Sequence, residues 1–188
     1  MAFVVLYDSN VLYPNTVRDL LIRLAQQGIV QAKWTEQILD EVEAALRRNG
    51  IADDEKRARL RRLMNAAVRD CTVTNYEPLI EGLKLPDPDD RHVLAAAIKA
   101  SAQVIVTDNG KHFPPDYLAE WGIERKTADD FVMDLIDMNG RVVYGCVVEI
   151  VNSRRKMAAT IDDVLDQLER SQLIGSASML RSQPVEGI

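Results

Sequence analysis

The chain has little cysteine and no long apolar run among its 188 residues. Its two cysteines, Cys71 and Cys146, show no CxxC or metal-ligand spacing, which favours free thiols in a reducing compartment over a disulfide scaffold. No window reaches about 18 apolar residues, and the start MAFVVLYDSN has neither a basic region nor a small-residue cleavage site. These absences predict a cytoplasmic protein that is not associated with a membrane.

Several common catalytic motifs are also absent from the sequence. There is no GxSxG nucleophile motif and no phosphate-binding GxxxxGK[ST] loop, and His92 and His112 do not form a pair at metal-ligand spacing. The composition is 47% hydrophobic and 28% charged, which is typical of a folded globular protein. The chemistry of this chain must therefore depend on other residues, and the acids are the most informative ones.

The net charge of −6 argues against a protein that binds nucleic acid with its whole surface. Basic residues are nevertheless clustered, and each cluster is also explained by a solvated helix face. Because Arg57 and Arg61 are four residues apart on one predicted helix, we predict that they bind RNA together with Lys56. The clusters comprise Arg47 and Arg48; Lys56, Arg57, Arg59, Arg61 and Arg62; and Arg154, Arg155 and Lys156.

Short apolar runs alternate with amphipathic segments along most of the chain. The runs predict strands and the amphipathic segments predict helices. This alternation indicates an α/β fold with a central, mainly parallel sheet flanked by helices. The predicted strands cover residues 3–7, 71–74, 104–106 and a short stretch near 123, and the predicted helices cover 17–27, 36–48, 53–69 and 89–101.

The pattern is helical throughout after residue 127. Apolar stripes predict helices over 128–137, 142–157 and 161–173, which could cap the domain, form a dimer or hold a partner. The end of the chain is rich in Ser, Gly and Pro, which is typical of a poorly ordered tail. We therefore predict a domain over residues 1–127, a C-terminal helical extension over 128–175 and a flexible tail over 176–188.

Acidic side chains stand where two predicted strands end. Asp8 follows the first strand and Asp108 follows the strand at 104–106, and the carboxyl ends of parallel strands line a common crevice. Glu41 lies close to the apolar side of its helix, although an ordinary exposed glutamate would fit the same pattern. Asp90 stands in the first turn of the next helix, where Asp87 is a predicted N-cap and capping alone could explain the acids.

Carboxylates gathered in one crevice repel one another unless a divalent cation neutralises them. Such an ion activates water and stabilises displacement at phosphorus, so a phosphodiester can be cut without a nucleophilic side chain. The acids therefore predict a metal site with nuclease chemistry.

Four blocks resemble the PIN-domain ribonucleases, and in particular the VapC-like toxins of bacterial toxin–antitoxin systems. They are DSNVL at 8–12, LDEV at 39–42, DRHVLAAA at 90–97 and TDNGKHFP at 107–114, and they cover roughly residues 3–130. In many relatives the fourth acid stands two residues after the threonine, where this chain has Asn109, so Asp108, Asn109 or both complete the site. The resemblance implies a catalytic set of Asp8, Glu41, Asp90 and Asp108, with Asp8, Asp90 and Asp108 on Mg²⁺ or Mn²⁺ and with Asn10, Thr107 and Asn109 as supporting polar groups.

The resemblance also implies an endoribonuclease toxin that acts on structured RNA, is silenced by an antitoxin protein and forms a homodimer. Two alternatives within the family remain open, a PIN nuclease of RNA processing and a degenerate PIN module that binds RNA or protein without cutting. A phosphatase of the haloacid-dehalogenase type would need a second aspartate two residues after Asp8, and this chain has Asn10 there.

Overall fold

A computed structural model describes residues 3–154 and 159–182 of the chain. Its centre is a four-stranded sheet whose strands pair in parallel in the order β2-β1-β3-β4. The strands are β1 Phe3–Tyr7, β2 Val30–Lys33, β3 Val104–Val106 and β4 Glu124–Lys126. The predicted α/β class is therefore confirmed, with a sheet that is parallel throughout.

Two of the strand assignments differ from the prediction. The stretch 71–74 is not a strand, because it contributes a single bridge in which Thr72 pairs with Trp34. Conversely, β2 was not predicted, since its sequence VQAK is short and half polar. As the edge strand of the sheet, β2 buries Val30 and Ala32 and leaves Gln31 exposed.

Helices cover the sheet, and several begin at the caps that their sequences suggest. Thr35 accepts a 3.0 Å hydrogen bond from the Ile38 amide at the start of α3, and Asp53 accepts one of 2.9 Å from the Lys56 amide at the start of α4. The helices are α1 Ser9–Leu12, α2 Asn15–Gln26, α3 Glu36–Arg48, α4 Asp54–Ala67, α5 Glu77–Ile80, α6 Arg91–Lys99, α7 Pro115–Ala119, α8 Ala128–Ser153, α9 Ile161–Arg170 and α10 Ile174–Ser182, with short 3₁₀ helices at Pro88–Asp90 and Gly110–His112.

The C-terminal helices pack directly on the sheet layer. The ring of Phe131 in α8 meets those of Phe3 and Tyr7 edge-on, with centroids 6.3 and 6.0 Å apart. The predicted helices at 128–137 and 142–157 join in α8, which is interrupted at Asn139 by a non-helical backbone (φ −159°, ψ 70°). Residues 155–158, which the second of these predictions includes, lie outside the described residues.

The predicted flexible tail begins with an ordered helix, α10. Asp129 of α8 accepts hydrogen bonds of 2.8 Å from the amides of Gly175 and Ser176, and Ser176 is buried. These bonds satisfy two amides at the start of α10 and place a negative charge at its positive end. The rest of the predicted tail, residues 183–188, lies outside the described residues. No helix in the described part of the chain is long and apolar enough to cross a membrane.

Candidate active site

Asp8 lies at the carboxyl end of β1, beside Thr107 at the end of the neighbouring strand β3. Both side chains are buried. The Thr107 hydroxyl donates a 2.7 Å hydrogen bond to Oδ2 of Asp8, and the Asn10 amide donates to the same oxygen at 2.6 Å. The backbone N–H of Ser9 donates to Oδ1 at 2.7 Å. Asn10 and Thr107, which are predicted as supporting polar groups, thus both contact Asp8 directly.

The electrostatic surroundings of Asp8 show that other acids lie near it. Burial raises the pKa of the Asp8 carboxyl above its ordinary value, while the hydrogen bonds from Thr107 and the Ser9 amide oppose this shift. The charges of Glu41 and Asp90 raise the pKa of Asp8 further. Three of the four acids predicted from the sequence therefore interact in the folded chain.

Glu41 reaches the site from α3 and contacts a histidine on α6. The two side chains meet at 2.7 Å, between Nε2 of His92 and Oε1 of Glu41. His92 is buried, whereas the Glu41 side chain is 40% exposed. Within the described residues, Nδ1 of His92 is buried without a hydrogen-bond partner, so Nε2 is the nitrogen that can donate to the carboxylate. The sequence did not reveal this contact between His92 and Glu41.

Asp90 forms a cluster with Asp87 and His112. Nδ1 of His112 lies 2.5 Å from Oδ2 of Asp90 and 3.5 Å from Oδ2 of Asp87. Burial raises the pKa of Asp90, His112 lowers it, and the charges of Asp87 and Glu41 raise it. As predicted, Asp87 also caps the following 3₁₀ helix, because its Oδ1 accepts a 2.9 Å hydrogen bond from the Asp89 amide.

Asp108 and Asn109, the two candidates for the fourth residue of the acidic site, have different surroundings. Asp108 is exposed, and its Oδ1 accepts a 3.0 Å hydrogen bond from the Ala128 amide at the start of α8. The side-chain amide nitrogen of Asn109 lies 2.8 Å from Nδ1 of His112, and that ring nitrogen also contacts Asp90. Geometry therefore places Asn109 and His112 beside the acids and engages Asp108 in a helix cap.

Among the described residues, one group could hold a metal ion with ligand atoms within 4.8 Å of one another: Asp87, Asp90 and His112. It includes one predicted ligand, Asp90, and adds two that were not predicted. From the sequence alone, Asp87 is explained as a cap, and His112 forms no pair with His92 at metal-ligand spacing. His112 stands in the TDNGKHFP block, and this position was the one feature of the sequence that could have indicated it as a site residue. Carboxylate oxygens dominate the wider site, which suits a hard divalent cation.

The basic residues predicted to bind RNA are largely paired with acids. Arg57 is buried and its guanidinium contacts Asp54 and the Ala52 carbonyl. Arg61 bonds to carboxylates of α3, those of Glu36, Asp40 and Glu43. Binding of RNA by Arg57 and Arg61 thus stays a prediction. In the third basic cluster, Arg154 hydrogen-bonds Thr16 and Gln167, whereas Arg155 and Lys156 lie outside the described residues.

Comparison with known proteins agrees with this architecture. Residues 4–111 match the PIN domain family, and residues 128–182 match the VapC50 C-terminal domain. The chain is 39% identical over 79 residues to "Putative ribonuclease VapC50" of Mycobacterium tuberculosis, an alignment that covers 42% of this chain and 47% of that relative. It thus spans about half of the relative's length, and no solved structure gives a significant match. The chain belongs to the PIN-domain family.

Proposed function

We propose that this chain is a metal-dependent endoribonuclease that hydrolyses RNA phosphodiester bonds. The observation that carries the proposal is the buried carboxylate of Asp8, which lies within the electrostatic influence of Glu41 and Asp90 at the carboxyl edge of the sheet. Acids that only capped helices would have no reason to converge from β1, α3 and the start of α6. The match of residues 4–111 to the PIN domain supports the same chemistry.

The donor set fits a divalent cation of the hard type. Burial and neighbouring acids raise the pKa of both Asp8 and Asp90. Ionisation of both carboxyl groups is therefore unfavourable in the metal-free site. A bound Mg²⁺ or Mn²⁺ ion would neutralise these charges and activate a water. We assign Asp8 and Asp90 to this ion. Asp108 remains a proposed ligand, and His112 with Asn109 is the competing assignment suggested by the contacts around Asp90.

The chain's own residues have distinct parts in this proposal. Asn10 and Thr107 hold Oδ2 of Asp8 in place. His92 holds Oε1 of Glu41, so Oε2 is the oxygen that can take a proton from an attacking water. A degenerate PIN module would have lost acids at these positions, whereas Asp8, Glu41 and Asp90 are all present. We therefore favour an active nuclease over a binding module.

We propose further that the chain is the toxin of a toxin–antitoxin pair and acts in the cytoplasm, with a cognate antitoxin protein and a second copy of itself as partners. The match of residues 128–182 to the VapC50 C-terminal domain supports this role, as does the similarity to the mycobacterial relative. A PIN nuclease of RNA processing is the alternative, since one fold serves several tasks. We propose a nuclease domain over residues 1–127 and a helical extension that continues into α10.

Purified protein incubated with total RNA tests the nuclease assignment. We expect internal cleavage when Mg²⁺ or Mn²⁺ is present and none in excess EDTA. Intact RNA under every metal condition would contradict the proposal. The toxin role predicts in addition that expression arrests growth and that the product of an adjacent antitoxin gene restores it, whereas a processing nuclease would leave growth unaffected.

A further inference from the structure

A concavity that contains none of the candidate active-site acids lies between the PIN domain and α9. Its volume is about 500 Å³, which is in the range of small-molecule and cofactor sites. The walls come from the turn after α1, the start of α2, the end of α3, the loop into α4, the first half of α4 and the end of α9. Apolar side chains of Leu46, Ile51 and Leu60 form part of the lining, and Ile51 is 47% exposed.

The lining of this pocket is cationic in a chain whose net charge is −6. Four of the described lining residues are basic, namely Arg18, Lys56, Arg57 and Arg170, and none is acidic. Among the described residues, the Arg18 guanidinium hydrogen-bonds to uncharged groups only, namely the carbonyls of Leu12 and Tyr13 at 2.7 and 2.9 Å and the Asn15 side chain at 2.8 Å.

The other three cations differ in how far they are neutralised. Lys56 and Arg57 pair with Asp53 and Asp54, which lie outside the lining. Arg170 is exposed and forms no ion pair within the described residues. The excess of positive charge therefore favours an anionic ligand.

An aromatic ring faces the same space. Tyr13 is half-buried in the pocket wall, and its hydroxyl accepts a 2.9 Å hydrogen bond from the Asn49 side chain, which limits motion of the ring. An aromatic face combined with cations is the arrangement by which proteins bind unpaired nucleotides, because the base stacks and the phosphates pair with the cations. An acidic peptide would use the cations but has no particular need for a stacking face.

The pocket and the acids share two segments of the chain. Tyr13 follows Asp8 by five residues, with only the single turn of α1 between them. On α3, Leu46 of the pocket lies five residues beyond Glu41, about 7.5 Å along the axis at 1.5 Å per residue. The segment around α1 and the helix α3 thus each contribute to both the acidic site and the pocket.

We propose that this pocket binds an unpaired nucleotide of the RNA substrate next to the cleavage site. The base lies against Tyr13, and the neighbouring phosphates contact Lys56 and Arg170. This inference rests on the proposed nuclease function and adds a substrate requirement to it, namely single-stranded RNA on one side of the cut. It also gives the helical extension a role, because α9 supplies Arg170.

The binding of fluorescein-labelled hexauridylate in excess EDTA, followed by fluorescence anisotropy, tests the inference. The Lys56→Glu/Arg170→Glu variant is compared with Arg59→Glu/Arg62→Glu, which makes the same change in net charge on exposed residues outside the pocket. We expect the pocket variant to bind at least ten-fold more weakly than the control. Its salt slope should be smaller by about 1.4, from two lost phosphate contacts on a single strand. Tyr13→Leu should bind about five-fold more weakly or worse, through lost stacking.

Equal affinities and equal salt slopes for the two charge variants would overturn the inference. The same conclusion would follow if the pocket variant lost only its binding to an antitoxin, since the pocket would then be a protein site. Metal-dependent RNA cleavage by the wild type is measured in parallel. Normal cleavage together with equal affinities refutes the pocket alone, whereas absent cleavage refutes the proposed function.

Discussion

The Thr107 hydroxyl donates a 2.7 Å hydrogen bond to Oδ2 of Asp8 across 99 residues of sequence, and both side chains are buried. The contact exists because β1 and β3 are parallel neighbours, with Tyr7 paired to Val106, so the residues that follow the two strands are adjacent. The Thr107 hydroxyl oxygen also accepts a hydrogen bond from the Asn10 side chain at 2.9 Å and one from the backbone N–H of Asn109 at 3.1 Å. One hydroxyl thus connects the predicted ligand Asp8 with the loop that carries the fourth position.

Thr107→Val tests this connection, because it keeps the shape of the side chain and removes the hydroxyl. We expect a loss of about 1 to 3 kcal/mol in the free energy of unfolding, since buried donors and acceptors lose their partner. Metal affinity should fall as well, because Asp8 is held less firmly. Urea unfolding and calorimetric titration with Mn²⁺ measure the two effects. Thr74→Val, at an exposed position, is the control and should change neither.

Much of the fold was predictable because its signals are local. The apolar runs of β1 and β3 are largely buried, and the predicted cap at Asp87 is two residues from the amide it binds. The adjacency of Asp8 and the Thr107 block followed from the rule that parallel strands end at a common edge, whereas the grouping of Glu41 and Asp90 with Asp8 was implied by the family resemblance.

The missed features depend on contacts that are distant in sequence. The position of His112 beside Asp90 spans 22 residues, and the bonds that hold α10 at Asp129 span more than 40. Neither periodicity nor composition records such pairs. The ion pairs of Arg61 could not be predicted from the sequence for the same reason, because their acidic partners belong to α3 and not to the helix that carries Arg61.

The fourth position of the site can be resolved by three single substitutions. If the cluster around Asp90 completes the site, His112→Ala and Asn109→Ala lower Mn²⁺ affinity, and Asp108→Asn leaves it nearly unchanged because an amide oxygen can still cap α8. If Asp108 is the ligand, the order is reversed. Calorimetric titration of the three variants decides between them. If all three variants bind Mn²⁺ with the affinity of the wild type, none of the three residues is a ligand.

The acids predict a characteristic pH dependence in the metal-free protein. The pKa of Asp8 is higher in the folded chain than its ordinary value of 3.8, so the unfolded chain releases this proton first as the pH rises. The contribution of Asp8 to folding stability is therefore fully present below 3.8 and is lost as the pH rises through the folded pKa.

Urea unfolding in EDTA across a pH series measures this loss. Other ionisable groups contribute in the same experiment, so the informative quantity is the difference in unfolding free energy between the wild type and Asp8→Asn. We expect the wild type to lose stability relative to the variant with rising pH, and added Mg²⁺ to remove this relative loss. A difference that does not vary with pH would show that Asp8 titrates normally.

The central claim is that Asp8 belongs to a metal-dependent nuclease site, and cleavage of total RNA by Asp8→Asn in Mg²⁺ or Mn²⁺ tests it most directly. The control is Asp116→Asn, which makes the same chemical change at an exposed acid in α7. The account predicts that Asp8→Asn keeps the circular dichroism spectrum of the wild type and loses at least a hundred-fold in cleavage rate, about 2.7 kcal/mol of barrier, while the control cleaves normally. Wild-type cleavage by a correctly folded Asp8→Asn protein would contradict it.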